Sequence, residues 1–270
     1  MKLAYTTLGC PEWNLEQIIN RSREYGFDGI DFRGYLTALD VTETPEFSSR
    51  AAETAKRIAG AGLEVPCFST SISVNGDEKR RGDNLAEVQR YASLCPIFGT
   101  RFLRVFGHGD SSPREQAIES LITNIRPLLK IVGDYGATIL LETHDAWTES
   151  SRIREVMRRV DSPSLRVLWD VHHPWKVSSE ALDFTWANFG KWVSYTHWKD
   201  ATPADKLCLM GEGILPLEQW YRLLESNGFD GYCTLEWEKR WHPEMQEPEI
   251  AFPDFVRFMK YLDAKYRAKS

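Results

Sequence analysis

The chain has 270 residues, 42% of them hydrophobic and 27% charged, and carries a net charge of −6. That length and balance suit a soluble globular protein whose core needs no covalent staples, and the negative charge opposes binding to a phosphate backbone. Five scattered cysteines without a C-x-x-C pair exclude a disulfide framework; no membrane-length apolar stretch and no signal-peptide core are visible, so a cytoplasmic protein is expected.

Strand-like and helix-like stretches alternate along the whole chain. Residues 2–7 read as a first strand, and 15–25 as a helix with apolar spacing that stops at Gly26. A second strand spans 29–33. A helix over 47–61 ends at Gly62, a C′ glycine, and a third strand follows at 63–69. The helix at 84–98 closes on Gly99, with Pro96 able to end it sooner. Residues 101–106 form a fourth strand. Pro113 opens a long helix reaching Tyr135, and Pro127 inside it should kink or split it. Then come a strand at 137–142, a helix at 150–160, a strand at 166–170 and a helix near 179–189. A strand at 192–197, a helix at 216–227, a strand at 232–236 and a helix from Pro253 to about Ala268 complete the series.

Eight strands in strict alternation with helices predict a parallel sheet with helices outside, joined by right-handed crossovers. Eight such units in this length match a single closed (β/α)8 TIM barrel over 1–270. An open doubly wound sheet would carry a glycine-rich phosphate turn after its first strand. The turn here, Leu8-Gly-Cys-Pro-Glu-Trp13, has one glycine and a proline, and Gly107-His-Gly-Asp110 is too short for a phosphate loop. The same helix-to-strand turn occurs twice, as Tyr25-Gly-Phe-Asp-Gly29 and Asn227-Gly-Phe-Asp-Gly231, which favours repeated βα units.

Chemistry in such a barrel sits where the strands end. Candidate strands five to eight finish on Glu142, Asp170, His197 and Glu236. Three carboxylates and one imidazole converging on one mouth would force proton uptake unless a cation joined them. The donor set suits one divalent ion, Mn2+ first, with Mg2+, Co2+ or Zn2+ as alternatives. Around this set, His144 lies two residues past Glu142 and is a candidate acid or base. Lys199 lies two past His197, where a continuing strand would point it the same way. His108 and Arg33, at the ends of strands four and two, are further substrate-binding candidates; Arg33 could equally pair with Asp31. Trp198 and Trp237 could wall a sugar ring, although core packing is the commoner fate.

At Leu141-Glu-Thr-His144, Trp169-Asp-Val-His-His173, Thr196-His-Trp-Lys-Asp200, Gly211-Glu-Gly213 and Leu235-Glu-Trp237, the chain resembles the xylose isomerase-like barrels. That family includes tagatose 3-epimerase, inosose dehydratase and the apurinic endonucleases, and the resemblance runs over nearly the whole chain. It implies that Glu142, Asp170, His197 and Glu236 bind one metal and that His173 contacts substrate, with His172 facing away. It also implies a small carbohydrate substrate and homo-oligomers.

The resemblance implies a metal-dependent isomerase or epimerase acting on a keto sugar or related polyol. Glu142 and Glu236 would exchange protons on opposite faces of a metal-stabilised enediolate. The arginine that the tagatose epimerases carry six residues past the metal histidine is Pro203 here, so hydroxyl recognition must differ. The alternative is a lyase of the inosose or 3-dehydroshikimate dehydratase type, with His144 as base, since those enzymes resemble this chain in their Glu-x-His and His-x-Lys pairs. The endonuclease reading lacks its extra histidines, and the charge opposes it.

Overall fold

The computed structural model describes residues 1–109 and 112–266. The elements run β1 (Lys2–Thr6), α1 (Leu15–Tyr25), β2 (Gly29–Asp31), α2 (Ala51–Gly60), β3 (Cys67–Ser73), α3 (Glu78–Phe98), β4 (Phe102–Phe106) and α4 (Arg114–Asp134). They continue with β5 (Thr138–Glu142), α5 (Ser150–Val160), β6 (Leu165–Asp170), α6 (His172–Val177), α7 (Leu182–Phe189), β7 (Val193–Trp198) and a small hairpin of β8 (Asp200–Ala201) and β9 (Leu207–Cys208). Helix α8 (Leu217–Ser226), strand β10 (Tyr232–Leu235) and helix α9 (Pro248–Tyr266) complete the order.

Eight strands pair in parallel in the order β2-β1-β10-β7-β6-β5-β4-β3. The seam between β2 and β3 is held by single bridges, Gly29 to Glu64 and Phe32 to Phe68, so the ring is a nearly closed (β/α)8 TIM barrel. Side chains alternate across each strand. Outward residues such as Leu103, Leu141, Val167 and Trp169 join the helices in the large core between the layers. Inward residues Ala4, Cys67, Leu140, Leu168, Tyr195 and Tyr232, with Phe102 against them, fill the N-terminal end of the barrel. Beyond this plug, toward the C-terminal end, the inward positions of the same strands carry Arg104, Glu142, Asp170 and His197. The repeated turn is used as the sequence implied: Gly26 and Gly228 follow α1 and α8 at φ +85° and +70°, a left-handed conformation that favours glycine.

Several boundaries differ from expectation. Strand three was placed at 63–69 but its ladder runs Cys67–Ser73. Pro66 has no N–H to give to a ladder, so regular pairing starts after it. Helix α3 begins six residues before the predicted start, because the Asp77 side chain accepts from Arg80 N and caps it there; Pro96 does not end it early. Pro127 does not split α4, which runs on through it. Buried Ile122, Ile125, Leu128 and Leu129 hold both halves against the core, outweighing the lost hydrogen bond. The predicted helix at 47–61 is a 3-10 turn at Pro45–Phe47 followed by α2. Helix α9 starts at Pro248, five residues early, and the predicted end at Ala268 lies outside the described residues. No helix among the described residues is long and apolar enough to cross a membrane.

Candidate metal centre

Strands β5, β6, β7 and β10 are neighbours in the ring, and each presents one side chain to the same point. Asp170 and His197 are direct register partners, and Glu236 continues β10 by donating its N–H to Trp198 O at 2.9 Å. Glu142, Asp170, His197 and Glu236 are all buried, and one donor atom from each lies within 4.8 Å of the others. His197 Nδ1 stands 3.1 Å from Glu142 Oε1 and 3.2 Å from Glu236 Oε1. Its Nε2 faces Asp31 Oδ2 at 3.5 Å. Asp31 is itself fixed by Ser69, whose N–H and hydroxyl donate at 3.1 and 2.9 Å. Burial would lower the His197 imidazole, but Glu236, Asp31 and Glu142 raise it well above its ordinary value; with an ion bound, Asp31 would keep the proton on Nε2 and leave Nδ1 free to ligate.

Two cations, Arg104 and Lys199, meet these acids. Arg104, inward on β4, puts Nη1 3.4 Å from Glu142 Oε2, and its guanidinium lies over the Phe106 ring at 3.9 Å. Lys199, only 2% exposed, reaches Asp170 at 3.0 Å, Glu236 at 2.6 Å and Glu238 at 3.0 Å. Lys199 is thus a buried partner of three carboxylates. Burial alone would raise the Glu142 carboxyl, but Arg104 and His197 outweigh it and bring it down to about 2. Lys199 and His197 likewise overcome burial at Glu236 and hold it well below the usual range. At Asp170 burial wins over Lys199 and the carboxyl is raised.

Donor chemistry and leftover bonding capacity fit a divalent ion. Three oxygens and one imidazole form a hard, mixed set. Glu142 Oε2 and Asp170 Oδ2 are buried and make no aligned hydrogen bond among the described residues, although Arg104 stands 3.4 Å and Lys199 3.0 Å away as ion-pair partners, so both oxygens keep lone pairs that an ion could use. Asp170 with His172 and His173 forms a second close group. His172 turns away from the centre and meets Asp205 at 3.1 Å.

The remaining expected residues divide between the surroundings of the acids and other places. His173 Nε2 is 3.7 Å from Asp170 Oδ2, and burial with Lys199 nearby holds its imidazole well below its usual pKa. His144 packs on the His173 ring at 4.4 Å and on Phe106 at 4.8 Å, and its Nδ1 is 2.9 Å from Asp145. Burial lowers His144, but Asp145 and Glu142 raise it further, so it ends above its ordinary value. Arg33 is buried beside Ser71, donating from Nη1 at 2.9 Å. His108 is exposed, and the contact it makes with Trp147 runs through its backbone carbonyl at 2.8 Å. Trp198 and Trp237 are buried core residues; they bond to Thr196 and to the carbonyl of Gln246.

Sequence reasoning missed Arg104, the orienting role of Asp31, Glu238 and the work of Asp200. The signal for Arg104 was present, a charge in the middle of Phe102-Leu-Arg-Val-Phe106 at the strand's inward parity. Asp200 ties down the loop after β7. Its carboxylate accepts from the N–H groups of Ala201, Gly211, Gly213 and Leu215. A Cβ on Gly213 would lie 2.1 Å from Asp200 Oδ1, which accounts for the glycine of the Gly211-Glu-Gly213 motif.

A family model described as xylose isomerase-like TIM barrel matches residues 19–261. Among curated proteins, the 3-dehydroshikimate dehydratase of Bacillus anthracis is 25% identical over 204 residues, covering 70% of this chain and 68% of the relative. The fructoselysine 3-epimerase of Escherichia coli O157:H7 is 22% identical over 252 residues, 87% of this chain and 90% of the relative. Among solved structures, the IolI protein with a bound zinc atom superposes with a TM-score of 0.84 at 16% identity, covering 98% of this chain and 99% of that one. The extent of the family match, joined to the parallel barrel described above, makes this chain a member of the xylose isomerase-like TIM barrel family.

Proposed function

We propose that the protein is a metal-dependent isomerase or epimerase that acts on a keto sugar or related polyol by moving a proton beside a carbonyl. The observation that carries this reading is the pair Glu142 and Glu236, two carboxylates flanking His197 Nδ1 at 3.1 and 3.2 Å. Glu142, Asp170, His197 and Glu236 would hold the ion. When bound, a divalent ion would supply the Lewis-acid charge that makes a C–H beside a carbonyl acidic. Glu142 and Glu236 are held ionised, so either can accept that proton; the other would first take up a proton from water and then deliver it to the opposite face, which brings solvent hydrogen into the product. Lys199 balances Asp170 and Glu236. Asp31 orients His197 through Nε2. The zinc of the IolI structure and the epimerase among the relatives support the same reading.

A second reading, a lyase with His144 as base, is favoured by one observation. His144 stands at the mouth against His173, its ring nitrogen held by Asp145, as a positioned acid–base group would be. The dehydratase relative is consistent with it. Both readings begin with the same proton removal.

The test is metal analysis of the purified protein, then a screen of keto sugars, inososes and 3-dehydroshikimate in deuterated water. We expect about one divalent ion per chain and solvent label entering a C–H bond of the true substrate. Loss of water without back-exchange would identify the lyase. Absence of bound metal after supplementation would remove both.

A further inference from the structure

The mouth of the barrel has two sides. The four candidate ligands and Lys199 come from the β5, β6, β7 and β10 side, whereas β2, β3 and β4 bring Asp31, Arg33, Ser71 and Arg104. Arg104 and Lys199 have carboxylate partners. Arg33 is only 8% exposed, and no carboxylate forms an ion pair with it among the described residues. Its backbone is pinned by Thr7, whose hydroxyl accepts from Arg33 N at 2.9 Å. Ser71, whose hydroxyl accepts from the Arg33 guanidinium, is itself fixed from two sides. Arg80 donates to its carbonyl, and Glu87 accepts from its N–H at 3.2 Å.

A buried guanidinium without a counter-ion is costly. Burial, and then Arg104, depress Arg33 to about 10, while Glu236 and Glu142 pull it the other way. Arg33 therefore shares the field of the candidate centre without pairing to its acids. A fork of N–H donors beside a fixed hydroxyl matches a planar carboxylate. A phosphate dianion would call for a cluster of free cations; Arg104 is engaged by Glu142 and Arg80 by the Ser71 carbonyl, which leaves Arg33 as the guanidinium on this side to offer its charge to a ligand.

We propose that the substrate bears a carboxylate, held by Arg33 and Ser71 on the β2–β3 side of the mouth while its carbonyl end meets the glutamates opposite. This names the substrate class for the function proposed above and rests on it: a hydroxylated keto acid rather than a neutral sugar.

The experiment is calorimetric titration of the purified protein with shikimate, a hydroxylated ring carboxylate, and with its neutral methyl ester. The wild type should bind the acid about tenfold or more tighter than the ester, the discrimination that a charge-assisted pair supports. Arg33→Gln should erase that difference, Ser71→Ala should shrink it, and Arg33→Lys, which keeps the charge, should retain part of it. Melting curves of all three variants establish that each is folded, and Ser71→Ala tests the site even if an Arg33 variant fails to fold. Equal binding of acid and ester by the wild type, including no binding of either, overturns the proposal. A preference that survives both Arg33→Gln and Ser71→Ala also overturns it. Metal content and solvent exchange, measured separately, decide the proposed function. Exchange confined to neutral sugars would leave that function standing and this substrate class refuted.

Discussion

Asp200→Asn tests how the loop after β7 is held and so how Lys199, its neighbour in sequence, is placed. Each carboxylate oxygen of Asp200 accepts two backbone N–H groups. Oδ2 takes Gly211 and Gly213 at 2.9 Å each, and Oδ1 takes Ala201 at 2.8 Å and Leu215 at 3.2 Å. Asparagine keeps the shape but turns one oxygen into an N–H2 group. Whichever oxygen is lost, two backbone donors then face a donor. Hydrogen bonds to a charged group contribute about 1.5–3 kcal/mol each. The lower value applies here, since Gly211 is exposed and water can replace part of the loss, which makes the cost about 3 kcal/mol. For a chain of this size class that lowers the melting temperature by about 6–12 °C. Thermal denaturation by circular dichroism measures it, with limited proteolysis expected to cut first between residues 202 and 215. Asp134→Asn is the control: its ion pair with Lys130 spans 3.8 Å between exposed groups and should shift stability by less than about 1 kcal/mol. An Asp200→Asn protein melting within about 2 °C of wild type, the effect of well under 1 kcal/mol, would refute the reasoning.

Other outcomes follow from the same geometry. Arg104→Met removes the buried partner of Glu142 and should cost about 3–5 kcal/mol in denaturant titration. Adding Glu142→Gln to it should recover part of that loss, and a double variant no more stable than Arg104→Met would show that the pair does not matter. Glu142→Gln alone should keep the wild-type circular dichroism spectrum at 25 °C, melt at a lower temperature because Arg104 loses its counter-ion, and abolish solvent exchange into substrate; persistent exchange would mean that another group is the base. His144→Ala discriminates between the two proposed chemistries: a drop of about 100-fold or more in turnover is expected of a general base, and a change of a few-fold leaves the proton exchange to Glu142 and Glu236.

The amino-acid order by itself determined the parallel alternation of strands and helices and the ends of the strands that carry Glu142, Asp170, His197 and Glu236. Short apolar runs closed by one chemical residue are a local pattern, and the period of two along a strand carries their inward parity. The same local logic gave the left-handed turns at Gly26 and Gly228. Tertiary structure decided the rest. The start of β3 depends on pairing that Pro66 interrupts, and the survival of α4 through Pro127 depends on what its buried face packs against. Lys199 became a buried partner of three acids, and Arg33 met Ser71 with no acid paired to it among the described residues, because closing the ring sets residues far apart in sequence at hydrogen-bond distance. Asp31 meets His197 across 166 positions of chain. Local propensity carries no information about such pairs; burial and charge, acting only once the barrel closes, select them.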